Sequence, residues 1–151
     1  MLKPYFKDQD GPAPLTVSCR RVVRLEEVDA LGIVWHGRYP SYFEDGREDL
    51  GRRFGLGYTA FKAAGVVMPI RRLTVDYLSP LKYLDEMTIE TALHWNEAAR
   101  MNIPYRILGP DGRLVTSGAT VQLMVGLDGG LLLEAPAFYL DFQARWREGR
   151  L

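Results

Sequence analysis

A carboxylate, a glycine turn and an imidazole stand in close order in the stretch Asp29-Ala30-Leu31-Gly32-Ile33-Val34-Trp35-His36, and a helical pattern begins directly after it. A helix start carries unpaired backbone N–H groups and a partial positive charge, so it can hold an oxyanion or a polarised carbonyl. A carboxylate able to attack, or to activate water, beside such a start points to acyl transfer or hydrolysis. Asp29 and His36 are therefore the candidate catalytic residues. Gly32, Ile33, Val34, Trp35 and Tyr39, which surround them in the chain, are the expected substrate-binding positions. The plain alternative for Asp29 is a turn residue, since Asp-x-x-Gly is ordinary turn composition.

The elements that must position these groups come next. Tyr39, Tyr42, Phe43, Gly46, Leu50 and Phe54 recur at steps of three and four, which predicts a helix over about 39–54 with one apolar stripe. Pro40 suits the first turn, where a missing N–H costs nothing. Gly46 in mid-stripe costs roughly 1 kcal/mol against alanine, so it implies close approach to a neighbouring backbone. Asp45, Glu48, Asp49, Arg52 and Arg53 form the polar face, with Glu48–Arg52 and Asp49–Arg53 at i,i+4 spacing. Gly55 and Gly57 end the helix.

Elsewhere the period is two. Leu15 to Leu25 alternates as a first strand, imperfectly, because arginine falls on both faces. A short helical piece covers about 58–64. Strands follow around Arg72–Tyr77, Met87–Trp95, Arg100–Ile107 and Leu114–Val125, separated by turns at Ser79-Pro80, Leu84-Asp85 and Pro110-Asp111-Gly112. Pro104 cannot donate to a ladder and predicts an edge strand or a bulge. Pro136 opens a terminal helix with Phe138, Phe142 and Trp146 on one side. Short links between consecutive strands favour antiparallel pairing, and segregated helix and strands make an α+β domain over residues 15–151. Residues 1–14, with Pro4, Pro12 and Pro14 around Gly11, read as a loosely held tail.

Composition narrows the functional classes. The 151 residues carry nineteen basic and nineteen acidic side chains. That balance argues against a dedicated nucleic-acid binder and leaves self-association open. No apolar run reaches the roughly eighteen residues of a membrane span, and no secretory signal pattern opens the chain. The single cysteine, Cys19, excludes an internal disulfide framework and fits a reducing, cytoplasmic setting. With only His36 and His94 as histidines, and no Cys/His spacing, no zinc site is expected.

The run Asp29-Ala-Leu-Gly-Ile-Val-Trp-His36-Gly-Arg-Tyr39, continuing into Tyr42-Phe43-Glu44, resembles the active-site signature of hotdog-fold thioesterases of the 4-hydroxybenzoyl-CoA thioesterase type. Leu73-Thr-Val-Asp-Tyr77-Leu-Ser-Pro80 and Gly112-Arg-Leu-Val-Thr-Ser-Gly118 resemble two later strands of that family. The resemblance, over roughly residues 16–128, implies a hotdog fold: a five-stranded antiparallel sheet wrapped around a long central helix. It implies dimers with a continuous sheet, often homotetramers, and a site at the dimer interface that cleaves acyl-CoA or acyl-carrier thioesters. It casts Asp29 as nucleophile or general base and the backbone N–H at His36 as the group that polarises the thioester carbonyl. No metal or redox cofactor is implied, CoA being part of the substrate. Leu31, bulkier than the family's usual residue, would narrow the acyl pocket.

Two rival readings keep the fold. One is a protein that binds acyl-CoA or an acyl carrier without cleaving it. The other is a hotdog enoyl-CoA hydratase or dehydratase, with His36 and Glu48 as its pair. Glu44 reads as a solvated helix carboxylate more readily than as a site residue. Arg71, Arg72 and Arg100 are weak candidates for the CoA phosphates. Cys19 lacks a nearby histidine pattern and reads as a strand residue, not a nucleophile.

Overall fold

The computed structural model describes residues 4–7 and 9–151. Strand β1 (Leu15–Val22) leads through a looped segment into helix α1 (Tyr39–Phe54) and the short helix α2 (Tyr58–Ala63). Then come β2 (Val66–Val67), β3 (Ile70–Tyr77), β4 (Glu86–Leu93), β5 (Arg100–Leu108), β6 (Leu114–Leu123), β7 (Val125–Gly126) and the terminal helix α3 (Ala137–Arg147). Five strands form one antiparallel sheet in the order β1-β4-β5-β6-β3, and β2 pairs with β7 in a separate two-stranded ribbon.

Helix α1 lies on the inner face of this sheet, against β1, β4 and β5. Its stripe of Tyr39, Tyr42, Phe43, Gly46 and Leu50 is buried, and Gly55 closes it in the left-handed conformation at φ 70°. Facing it, Met87, Ile89 and Leu93 of β4 and Ile103, Tyr105 and Ile107 of β5 alternate inward as the two-residue period requires. Phe43 stacks on Tyr105 with ring centres 4.5 Å apart. The result is the α+β hotdog architecture expected from the sequence, with the helix as filling.

Gly46 marks the closest approach of helix and sheet. A methyl group there would lie 2.1 Å from Thr91 Oγ1 and 3.0 Å from Ile89 Cγ2. The neighbours are thus β4 side chains, and not a backbone as the sequence suggested. The inward Arg21 is also accounted for: it pairs with Asp45 on α1 and lies 3.7 Å from Glu27. On the polar face of α1, Arg52 bonds Asp49 and lies 3.8 Å from Glu48, while Arg53 lies over the Phe54 ring.

Pro104 corrects an expectation. It sits in β5, flanked by β4 and β6, so it is on neither an edge nor a bulge. It pairs with Ala119 on the β6 side, while the β4–β5 ladder stops at Thr91–Tyr105 and returns only at the His94–Asn102 bridge, in the same register. The missing proline N–H is absorbed as a local gap in one ladder.

Of the stretch expected as a loosely held tail, residues 1–3 and 8 lie outside the described residues, and several of the others make contacts. The Tyr5 hydroxyl bonds Asp76 and Ser117 across the outer face of the sheet, Phe6 contacts the His94 ring, and Trp146 donates to the Ala13 carbonyl. At the far end of α1, helix α3 packs Phe142 on Phe54, Phe138 on Phe61 and Trp146 on Trp95.

Candidate active site

The stretch between β1 and α1 folds back on itself as a small hairpin. Asp29 donates its backbone N–H to the Ile33 carbonyl at 2.9 Å, Gly32 donates to the Asp29 carbonyl at 3.0 Å, and Val28 bridges Val34. Gly32 takes φ 78°, a left-handed conformation that glycine adopts without strain. The far arm is stitched to the β3–β4 connection, where Val34 N–H donates to the buried Leu81 and Ile33 bridges Lys82.

Within that hairpin the Asp29 side chain accepts the Leu31 N–H at Oδ1, 2.8 Å away. This is the turn role that composition alone suggested, and it has a chemical consequence. One oxygen is pinned by the loop itself, which fixes the orientation of the carboxylate. The second, Oδ2, has no protein partner among the described residues.

His36 opens a short 3₁₀ run, His36–Arg38, that continues directly into α1. The N–H groups of His36 and Gly37 stand at the head of this run without an acceptor among the described residues, as a helix start dictates. The imidazole is exposed and rests against the Trp35 ring, centres 5.1 Å apart. Asp29, Gly32, Ile33, Trp35 and His36 thus share one loop at the positive end of α1. Val34 and Tyr39 turn the other way, each only 3% exposed, into the core. Burial raises the Tyr39 phenol above its ordinary pKa. Leu31 stands 81% exposed and narrows nothing within the single chain.

Glu27, which sequence reasoning passed over, anchors this loop. It is 5% exposed; its Oε2 accepts the Arg24 N–H at 2.8 Å and its backbone carbonyl accepts the Trp35 N–H at 2.9 Å. The signal for it was the glutamate three residues after Arg24, the spacing of a capping box. Tyr77 was passed over too, as a contact to the site: its hydroxyl donates to the His36 carbonyl at 2.7 Å.

The site is open in the single chain. The principal concavities do not include Asp29, Gly32, His36 or Tyr39; the largest, about 660 Å³, lies on the outer sheet face beside Phe6, Pro104 and Arg106. What flanks the loop instead is the end of β3, an edge strand with exposed Ile70, Leu73 and Tyr77.

The remaining candidates fall outside the loop. Glu44 bonds Arg47 at 2.6 Å. Glu48 is exposed on α1, 3.8 Å from Arg52, and roughly 18 Å from His36 at 1.5 Å per helical residue, too far to pair with it in one chain. Burial and the Asp49 carboxylate push the Cys19 thiol up to about 11, so it stays protonated near neutrality. Arg71 and Arg72 are exposed and have no carboxylate within 4.0 Å among the described residues. No group of three or more His, Cys, Asp or Glu among the described residues is placed to hold a metal ion, and none of the described helices is long and apolar enough to cross a membrane.

A central helix sheathed by a five-stranded antiparallel sheet is the hotdog architecture, and the sequence comparison names the family. The family model of the thioesterase-like superfamily matches residues 23–145, and the chain belongs to that superfamily. The match takes in most of α3, beyond the stretch whose resemblance was visible by motif. Among curated relatives, YneP of Bacillus subtilis (strain 168) is 28% identical over 103 residues, 68% of this chain and 75% of that one. The acyl-CoA thioester hydrolase YbgC of Escherichia coli O157:H7 is 25% identical, over 68% of this chain and 77% of its own. Among solved structures, the DHNA-CoA thioesterase of Staphylococcus aureus superposes with a TM-score of 0.77 at 24% identity, covering 90% of this chain and 96% of that one.

Proposed function

We propose that the protein hydrolyses an acyl-CoA, or a related acyl-carrier thioester, to the free acid and thiol. The observation that carries this reading is the Asp29 carboxylate, one oxygen pinned by the Leu31 N–H and the other free, on the same loop as the open N–H groups of His36 and Gly37. The naming of the relative YbgC as an acyl-CoA thioester hydrolase supports it.

The chemistry follows from the leaving group. A thiolate departs readily, so cleavage needs a nucleophile and a polarised carbonyl more than a strong acid. Asp29 Oδ2 either attacks the thioester carbon, giving an acyl anhydride and CoA thiolate that water then resolves, or takes a proton from the water that attacks. In both routes negative charge grows on the carbonyl oxygen, where the helix-start N–H groups receive it. His36 stands ready to orient the substrate or pass a proton. No step calls for a metal or redox cofactor.

The site is completed by a second copy. Strand β3 leaves a row of backbone groups unpaired on its outer side, with Ile70, Leu73 and Tyr77 exposed along it. Pairing two such edges would continue the sheet across a dimer and wall in the Asp29 loop. The setting proposed for this activity is the cytoplasm, alone or as a dimer of dimers. The testing experiment is hydrolysis of a panel of short, long and aromatic acyl-CoAs, followed by free-thiol detection. Turnover of at least one member supports the reading. A panel untouched while binding persists returns the protein to a non-catalytic acyl-CoA binder.

A further inference from the structure

The His36 carbonyl has a side-chain donor. It lies in a 3₁₀ run, whose backbone pattern reaches three residues on, and the α-helical position four residues on is Pro40, which has no N–H to add. Tyr77, at the end of β3 and forty-one residues away, supplies a hydroxyl to it at 2.7 Å. The Tyr77 ring is held for this by an edge-on contact with buried Tyr39, centres 5.3 Å apart. Where β3 ends, the N–H groups of Leu78 and Ser79 both donate to Val115. On the other side, Trp35 folds over Gly37 so closely that a methyl group there would lie 2.4 Å from its ring.

The peptide unit between His36 and Gly37 is therefore gripped at its carbonyl by Tyr77 and roofed by Trp35. A donor on a peptide carbonyl also polarises the N–H of the same unit. Here that N–H belongs to Gly37, beside the His36 N–H at the head of the run. We infer that Tyr77 is a positioning residue for thioester cleavage: its hydroxyl fixes and polarises the His36–Gly37 peptide, so that the helix-start N–H groups meet the charge developing on the substrate carbonyl. This rests on the hydrolase reading above.

The test is Tyr77→Phe, which keeps the ring against Tyr39 and removes only the hydroxyl. A direct oxyanion donor is worth a hundredfold or more in rate, so an indirect one should cost about tenfold in kcat, with KM nearly unchanged. A second readout separates positioning from packing. In an Asp29→Asn background the substrate stays intact, and the infrared band of a carbonyl-labelled acyl-CoA reports its polarisation. The band should fall in frequency on binding, and part of that fall should be lost when Tyr77→Phe is added. Unchanged kcat overturns the inference, and so does a kcat loss with an unmoved band, because packing then accounts for it. If the unaltered protein cleaves no thioester, the hydrolase reading fails first and this inference falls with it.

Discussion

At the scale of single residues, the account turns on what each side chain is free to do. Asp29 satisfies its own turn with one oxygen and keeps the other, so the turn residue can also be the proposed reactive carboxylate. Cys19 is the contrasting case. Burial comes first, then a hydrogen bond to Asp49, and together they hold the thiol protonated up to about pH 11 against an ordinary value of 9.0. The shift is upward, so the thiolate is depleted across the neutral range and recovers only as pH rises toward that value. Reaction of native protein with an aromatic disulfide at pH 8 should therefore run about a hundredfold slower than that of the unfolded chain. Equal rates would show that Cys19 is an ordinary exposed thiol.

At the scale of elements, the closest fit is between α1 and β4. Gly46→Ala gains helix propensity of roughly 1 kcal/mol, yet it drives a methyl group onto Thr91 and Ile89. Overpacking wins, and urea titration should show a net loss of about 1–2 kcal/mol. The loss should shrink in a Thr91→Ala background, where the nearest atom is gone; a stabilised Gly46→Ala variant would contradict the packing described. The helix was legible from the sequence because three- and four-residue spacing and the Gly55 stop are local signals. The alternation of β4 and β5 was legible for the same reason. Pro104 was not, because its rule concerns a donor, and a central strand can forgo one donor while keeping its other ladder. The loop anchors were hidden for another reason: Glu27 meets Arg21 and Trp35, and Tyr77 meets His36, only once the chain has folded.

At the scale of the whole molecule, the exposed edge of β3 and the open loop beside it are the surfaces that the proposed dimer would cover. The 17.1 kDa chain should elute with the mass of a dimer, about 34 kDa, or of twice that. Leu73→Lys puts a charge on the exposed edge, 43% exposed in the single chain, without entering the core. Light scattering should show monomer, and thioesterase activity should fall with the dimer population. Full activity in a monomer would place the complete site within one chain. The Asp29–His36 stretch was readable in sequence as one loop leading into α1, whereas a second copy's place was not, since no stretch of one chain encodes where another would sit.

The central claim is that Asp29 cleaves the thioester at the start of α1, and it meets its most direct test in one variant. Asn at position 29 keeps an Oδ1 acceptor for the Leu31 N–H, so Asp29→Asn should melt with the unaltered protein and still bind acyl-CoA. It lacks the basic, nucleophilic Oδ2, so kcat for the best acyl-CoA of the panel should fall by about a thousandfold or more. A folded Asp29→Asn protein that turns over at the original rate would contradict the account.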